Sequence, residues 1–301
     1  MQDVKREGPM SYDLTHARHD PAHCLAPGLF RSFKKGDRKK IPLNVTYKFG
    51  KNEQLEFSCS ELLGADDLKV LQGLVAMAGP NGVILHEEAK TEVGQQLRLL
   101  LETKWEAVQK DSQVVKGSYY TLAKEIGYEG DGGKVFKLLR DSIERLWKVS
   151  IIAQKPSASG KVRRQGYRLL ADYASDEADG KLYVALNPRI TEAILGRRAF
   201  TRIDMYEVRS LKSDCATLIH QRLCGWIDVG ITRAVTMETL IGYVWPNSDG
   251  EYVQAEPSTE RNYRQRIKQA LGELRSVGWD IDEYVKGKFN ISRPSQKNSE
   301  I

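Results

Sequence analysis

The sequence predicts an α+β chain of two tandem winged-helix domains, each a helix-turn-helix followed by a β-hairpin wing, behind a basic N-terminal arm. Two observations carry this. Two stretches, Ser118 to Ala185 and Ser213 to Ser292, both run helix, Gly- or Pro-marked turn, longer helix and then alternating strand-like segments. They lie about 120 residues apart, so that Leu122-Ala123 answers Leu240-Ile241, as one repeated supersecondary unit requires. The 301 residues carry 41% hydrophobic and 29% charged side chains, enough for packed cores and too apolar for wholesale disorder. The expected division is an arm over 1–60, a first domain over 61–200 and a second over 201–301.

In chain order, Arg31 to Lys40 carries six positive charges against one negative, which marks the arm. Val45-Thr-Tyr-Lys-Phe49 and Gln54-Leu-Glu-Phe57 alternate around Gly50-Lys-Asn52 and read as a hairpin. Asp66 is placed to cap a helix with Leu68, Leu71, Leu74, Val75 and Ala78 on its apolar face, stopped by Gly79-Pro80. Within the polar insertion Glu87 to Gln113, Gln95 to Gln109 has helical character.

Ser118 caps Tyr119 to Ile126, Gly127 stops it, and Gly130-Asp-Gly-Gly133 leads into Lys134 to Trp147, with Phe136, Leu139, Ile143 and Leu146 on one face. Strand-like Val149 to Ala153 and Gly166 to Leu170 flank the turn Lys155 to Arg164, the expected wing. Leu182 to Leu186 is a third apolar stretch. Downstream, Ser213 caps a helix through Trp226, Thr236 caps Met237 to Val244, and the loop Asn247 to Pro257 precedes a long helix from Ser258 to Val277. Trp279 to Ile281 and Phe289 to Ser292 then flank a turn holding Lys286 and Lys288.

Charge concentrates on these elements. Gly133 to Arg164 holds nine positive and two negative residues, a net +7 against +6 for the whole chain. The long second helix carries a net +3, with Ile267, Ala270, Leu271 and Leu274 on the buried side. In helix-turn-helix proteins the start of that helix enters the major groove. There Arg bridges guanine O6 and N7, and Asn or Gln bridges adenine. The predicted base readers are therefore Arg261, Asn262, Arg264, Gln265 and Lys268. Lys134, Lys137, Arg140 and Arg145 are their counterparts in the first domain. Lys161, Arg163, Arg164, Lys286 and Lys288 are the wing contacts, holding phosphates. A solvated helix face explains one such stripe; two stripes on the second helix of two like units favour double-stranded DNA.

Other chemistry is unsupported. Gly127 to Lys134 is not a P-loop, since Tyr128 stands where Gly is needed and Val135 where a hydroxyl is needed. His16, His19, His23 and Cys24 are chemically adequate ligands, but Pro21 interrupts their spacing and no second pair closes a metal site. A relaxase-type nuclease needs His-apolar-His beside a Tyr nucleophile, and His16 and His19 are spaced too widely; Tyr119 and Tyr120 read as packing residues. No catalytic residues, metal or cofactor are expected. The four cysteines form no C-x-x-C pair, and no signal peptide or membrane span is visible, so a cytoplasmic protein is expected. A winged-helix repressor at an inverted repeat is the alternative reading.

Five strings add a resemblance: His19 to Phe30 (HDPAHCLAPGLF), Leu63 to Leu68 (LGADDL), Leu71 to Gly82 (LQGLVAMAGPNG), Ile143 to Gln154 (IERLWKVSIIAQ) and His220 to Asp228 (HQRLCGWID). Across nearly the whole chain they resemble the RepC replication initiators of IncQ-type plasmids. That resemblance implies two winged-helix domains. It implies binding to directly repeated iterons at a plasmid origin, opening of adjacent AT-rich DNA, and work beside a plasmid-encoded helicase and primase. It further implies that the second domain reads bases most strongly, while the first adds backbone contacts and can form a homodimer.

Overall fold

The computed structural model describes residues 14–34, 36–79, 83–85, 112–128, 132–156, 161–176, 180–247 and 250–294. The chain opens with β1 (His16–His19), α1 (Pro21–Leu25), β2 (Leu43–Phe49) and β3 (Glu53–Cys59). Next come α2 (Ala65–Ala78), β4 (Val83–Leu85), β5 (Ser112–Ser118), α3 (Tyr119–Glu125) and α4 (Gly133–Lys148). Four strands follow, β6 (Ser150–Pro156), β7 (Val162–Arg168), β8 (Leu170–Asp176) and β9 (Lys181–Leu186), then α5 (Pro188–Ile194), β10 (Thr201–Asp204) and α6 (Met205–Ser210). The chain continues through α7 (Asp214–Trp226), β11 (Thr232–Thr236), α8 (Met237–Val244), α9 (Pro257–Ser276), β12 (Asp280–Val285) and β13 (Lys288–Ser292). The expected helix Gln95 to Gln109 lies outside the described residues.

The fold is mixed α+β with antiparallel sheets, and it repeats. The second unit is α7, β11, α8, α9 and the β12–β13 hairpin, its sheet ordered β11-β13-β12. In the first unit α2, β5, α3 and α4 come in the same sequence, and the sheet order β4-β5-β9-β8 contains the same pattern. Local chemistry repeats as well. Ser118 caps α3 by accepting from Thr121 N at 3.1 Å, and Thr236 caps α8 by accepting from Thr239 N at 3.2 Å. Helix α2 begins from Gly64, not from the expected cap Asp66, with Asp67 accepting from Gly64 N at 2.8 Å. Mid-helix Gly73 lets α3 approach: a Cβ there would stand 2.3 Å from Ile126 and 2.8 Å from Leu122.

Two expectations are corrected. The hairpin that answers β12–β13 is β8–β9, not the expected wing around Lys155 to Arg164. Strands β6 and β7 instead extend a separate sheet, β2-β3-β6-β7, with Phe57 opposite Ile151 and Ile151 opposite Tyr167. Strand alternation is the same in both hairpins, so only long-range pairing decides between them. Likewise the described part of the expected arm, residues 14–34 and 36–60, packs into the fold. Strand β1 pairs with β10, His19 opposite Thr201, while Leu29, Leu43, Leu55 and Phe57 are fully buried. In the basic run Lys34, Lys39 and Lys40 are exposed, but Arg38 is drawn in to Asp66 at 2.7 Å and Asp67 at 3.2 Å.

The two units share one core through α2 and α7. Gln72 on α2 donates to Gln221 on α7 at 2.8 Å, and Lys69 Nζ donates to the Leu211 carbonyl at 2.6 Å. The N-terminal segment lies against the second unit, where Arg31 donates to the Pro246 carbonyl and Arg222 to that of Leu25.

Candidate nucleic-acid interface

Helix α9 starts with Pro257 in its first turn, where the missing N–H costs nothing. Ile267, Ala270, Leu271 and Leu274 bury one stripe against the unit's core. Below the helix start, Trp245 stacks on Tyr263 at 3.9 Å and Arg266 lies over Trp245 at 5.0 Å, fixing the entry of α9. At ~100° per residue Gln265 stands roughly opposite the buried stripe, flanked by Asn262 and Gln269 on one side and Arg261 and Lys268 on the other. All five are exposed. Gln269 completes this face and was not foreseen, although its i+4 spacing from Gln265 is visible in the sequence. Lys268 stands 3.9 Å from Glu283 on the wing-like hairpin β12–β13.

Arg264 departs from its expected role. Its guanidinium turns toward the unit, donating to Glu238 on α8 at 2.6 Å and to Glu260 at 2.9 Å. Glu260 is itself pinned by the Tyr252 hydroxyl at 2.8 Å. The bond to Glu238 raises the Arg264 pKa further, so the guanidinium stays charged. By helix phase Arg264 stands at the edge of the open face, about 40° from Lys268, and the two carboxylates turn its guanidinium away from that face.

On α4 the corresponding face presents Lys134 and Lys137, both exposed, with Arg140 half-buried. Arg145 does not join them, which corrects its assignment as a reader. It is buried, with Nε donating to Asp67 at 2.9 Å and Nη2 to Ser142 at 2.9 Å and to Asp66 at 3.3 Å. Burial and the neighbouring Asp66 push the Asp67 carboxyl up to about 6, against the pull of Arg145 and Arg38. Two arginines and two aspartates thus form one partly buried cluster at the start of α2.

Lys161, Arg163 and Arg164 are exposed as expected, but on the β6–β7 hairpin of the four-stranded sheet, with Arg163 opposite Lys155 and Arg164 opposite Gln154. In the hairpin β8–β9, topologically equivalent to β12–β13, Asp172 stands opposite Ala185. Lys286 and Lys288 are exposed at the turn of β12–β13, where Gly287 takes the left-handed conformation at φ +76°.

The N-terminal histidines gather no metal-type ligand set. His19 and His23 are completely buried, and burial pushes their pKa values down to about 4 and about 3, so both are neutral. Among the described residues the one convergent group is Glu207, His220 and Cys224. His220 Nε2 meets Glu207 Oε2 at 2.5 Å and Cys224 Sγ at 3.3 Å, while the Trp279 indole donates to Glu207 at 3.0 Å. Burial lowers the imidazole, but Cys224 and Glu207 more than reverse this and raise it to about 10. Both contacts are made by the one ring nitrogen Nε2, so this is not a relay through the two ring nitrogens.

A family model described as Replication protein C (RepC) matches residues 11–295. No curated protein matches the chain. A crystal structure of selenomethionine derivatives of domain 2 and domain 3 of RctB has a TM-score of 0.56 at 13% identity, covering 92% of this chain and 99% of that one. A second structure of RctB domains 2-3 has a TM-score of 0.49 at 15% identity, covering 89% and 92%. The Pi initiator protein in complex with iteron DNA has a TM-score of 0.43 at 12% identity, covering 62% and 82%. The RctB domains share the fold. Among the described residues no helix is long and apolar enough to cross a membrane.

Proposed function

This chain belongs to the Replication protein C (RepC) family, and on that premise we propose that it is a plasmid replication initiator that binds directly repeated iterons at its origin. Each unit is a winged helix. Helix α9 lies in the major groove as the principal reader, and Lys286 and Lys288 on the β12–β13 wing hold phosphates. The open face of α9 is the observation that carries this reading: an exposed row of Arg261, Asn262, Gln265, Lys268 and Gln269 on a helix whose opposite stripe is buried. On α4 the matching face holds lysines, point charges suited to phosphates rather than bases, so the first unit adds affinity without sequence preference. Lys161, Arg163 and Arg164 extend that grip from the β6–β7 hairpin.

Binding of successive repeats bends the origin, and the strain favours opening of neighbouring AT-rich DNA. The chain itself does no covalent chemistry and uses no cofactor. A plasmid-encoded helicase and primase in the cytoplasm extend the opening, and a homodimer forms through the first unit. The test is a footprint of the full chain on its own plasmid's origin across a salt series. Evenly spaced protection of direct repeats, with affinity falling steeply in salt, is expected. A single palindromic footprint at a promoter, or no footprint, overturns the reading.

A further inference from the structure

We infer that α9 reads adenines: the carboxamides of Asn262, Gln265 and Gln269 form its base-reading row, and Glu238 withholds Arg264 from guanine. The inference rests on the DNA-binding reading above and adds the class of base that is recognised. Three amide side chains at i, i+3 and i+7 share one face of the helix, all exposed and none engaged by another described residue. A carboxamide offers one acceptor and one donor side by side, the complement of adenine N6 and N7, whereas guanine O6 and N7 present two acceptors and call for a guanidinium. Of the two guanidiniums beside that row, Arg261 stays exposed on its flank, while Arg264 is spent on Glu238 at 2.6 Å and on Glu260 at 2.9 Å. Glu238 contacts no base in this arrangement; it is a positioning residue that sets specificity by removing a guanine reader.

The test is selection of duplexes from a randomised library by the full chain, sequenced for the wild type, Gln265→Ala, Arg264→Ala and Glu238→Ala. Adenines are expected at the positions contacted by Asn262, Gln265 and Gln269 in the wild-type consensus. Gln265→Ala should lose selection at one of them by roughly 5- to 150-fold, the worth of one bidentate base contact. Arg264→Ala should leave the consensus unchanged. Glu238→Ala should gain guanine at one base pair, a change that mere loosening of the helix would not give. Guanines at the positions that Asn262, Gln265 and Gln269 contact, or loss of a guanine with Arg264→Ala, overturns the inference. Absence of a new guanine with Glu238→Ala overturns the role given to Glu238. A library that shows no enrichment for the wild type defeats the DNA-reading function itself, and so is distinct from both.

Discussion

Gln72 and Gln221 are each the eighth residue of the first long helix of their unit, and they meet across the join, Gln72 Nε2 donating to Gln221 Oε1 at 2.8 Å with both side chains fully buried. Equivalent positions of the two repeats thus touch one another across α2 and α7. Gln221 also donates to the His23 carbonyl at 3.3 Å, tying the N-terminal segment into the same contact. Replacing one glutamine leaves a buried amide without its partner, so Gln72→Leu is expected to cost about 1–3 kcal/mol. The double change with Gln221→Leu should recover part of that loss. Urea unfolding measures both, and a cost of the double variant equal to the sum of the singles would sink the coupling.

Arg145→Ala is expected to unfold the protein, not to release DNA. Removing it strips one cation from the buried Asp67, at a cost of about 3–5 kcal/mol for an interior ion pair broken on one side. At temperatures where the variant stays folded, the slope of log affinity against log salt should equal that of the wild type. A smaller slope would return Arg145 to the interface.

Lys137→Gln should behave in the opposite way. The side chain is exposed on α4, so stability should hold while affinity falls evenly for iteron and unrelated duplexes. The salt slope should drop by about 1. A loss confined to one sequence would make Lys137 a base reader.

Stability should depend on pH through His220 and Glu207. The folded imidazole is raised from 6.5 to about 10, so its contribution is full below pH 6.5 and is lost as pH rises through about 10. Glu207 is held below its ordinary 4.5 because its bonds to His220 and Trp279 outweigh burial, so its contribution is present above pH 4.5 and fades in acid. Urea midpoints measured from pH 5 to 10 should fall over the alkaline half of that range. His220→Gln, less stable throughout, should lose that fall; an unchanged alkaline slope contradicts the assignment.

The helices of both units were legible because their caps and their 3.6-residue apolar period are local. Ser118 and Thr236 lie next to the residues they cap, and Ile267, Ala270, Leu271 and Leu274 mark the buried side of α9 without reference to anything distant. What was illegible is long-range. Arg145 is committed by carboxylates 78 and 79 positions earlier, and Arg264 by Glu238, 26 positions earlier. The choice between β6–β7 and β8–β9 as the repeated hairpin depended on which of them pairs with β5, and period-two alternation is silent on partners. The row of carboxamides was readable in full, but stopping at Gln265 left out Gln269 two turns beyond Asn262.

The pairing of β1 with β10 sets the timetable of the molecule's birth. His19 finds its neighbour in Thr201, and at ~5–20 residues per second the ribosome needs roughly 10–40 s to deliver that strand after the first. For that interval β1 lacks its strand partner, while His23 already has Phe57 against its ring at 5.7 Å. The pairing edge of β1 therefore stays open until the last third of the chain emerges.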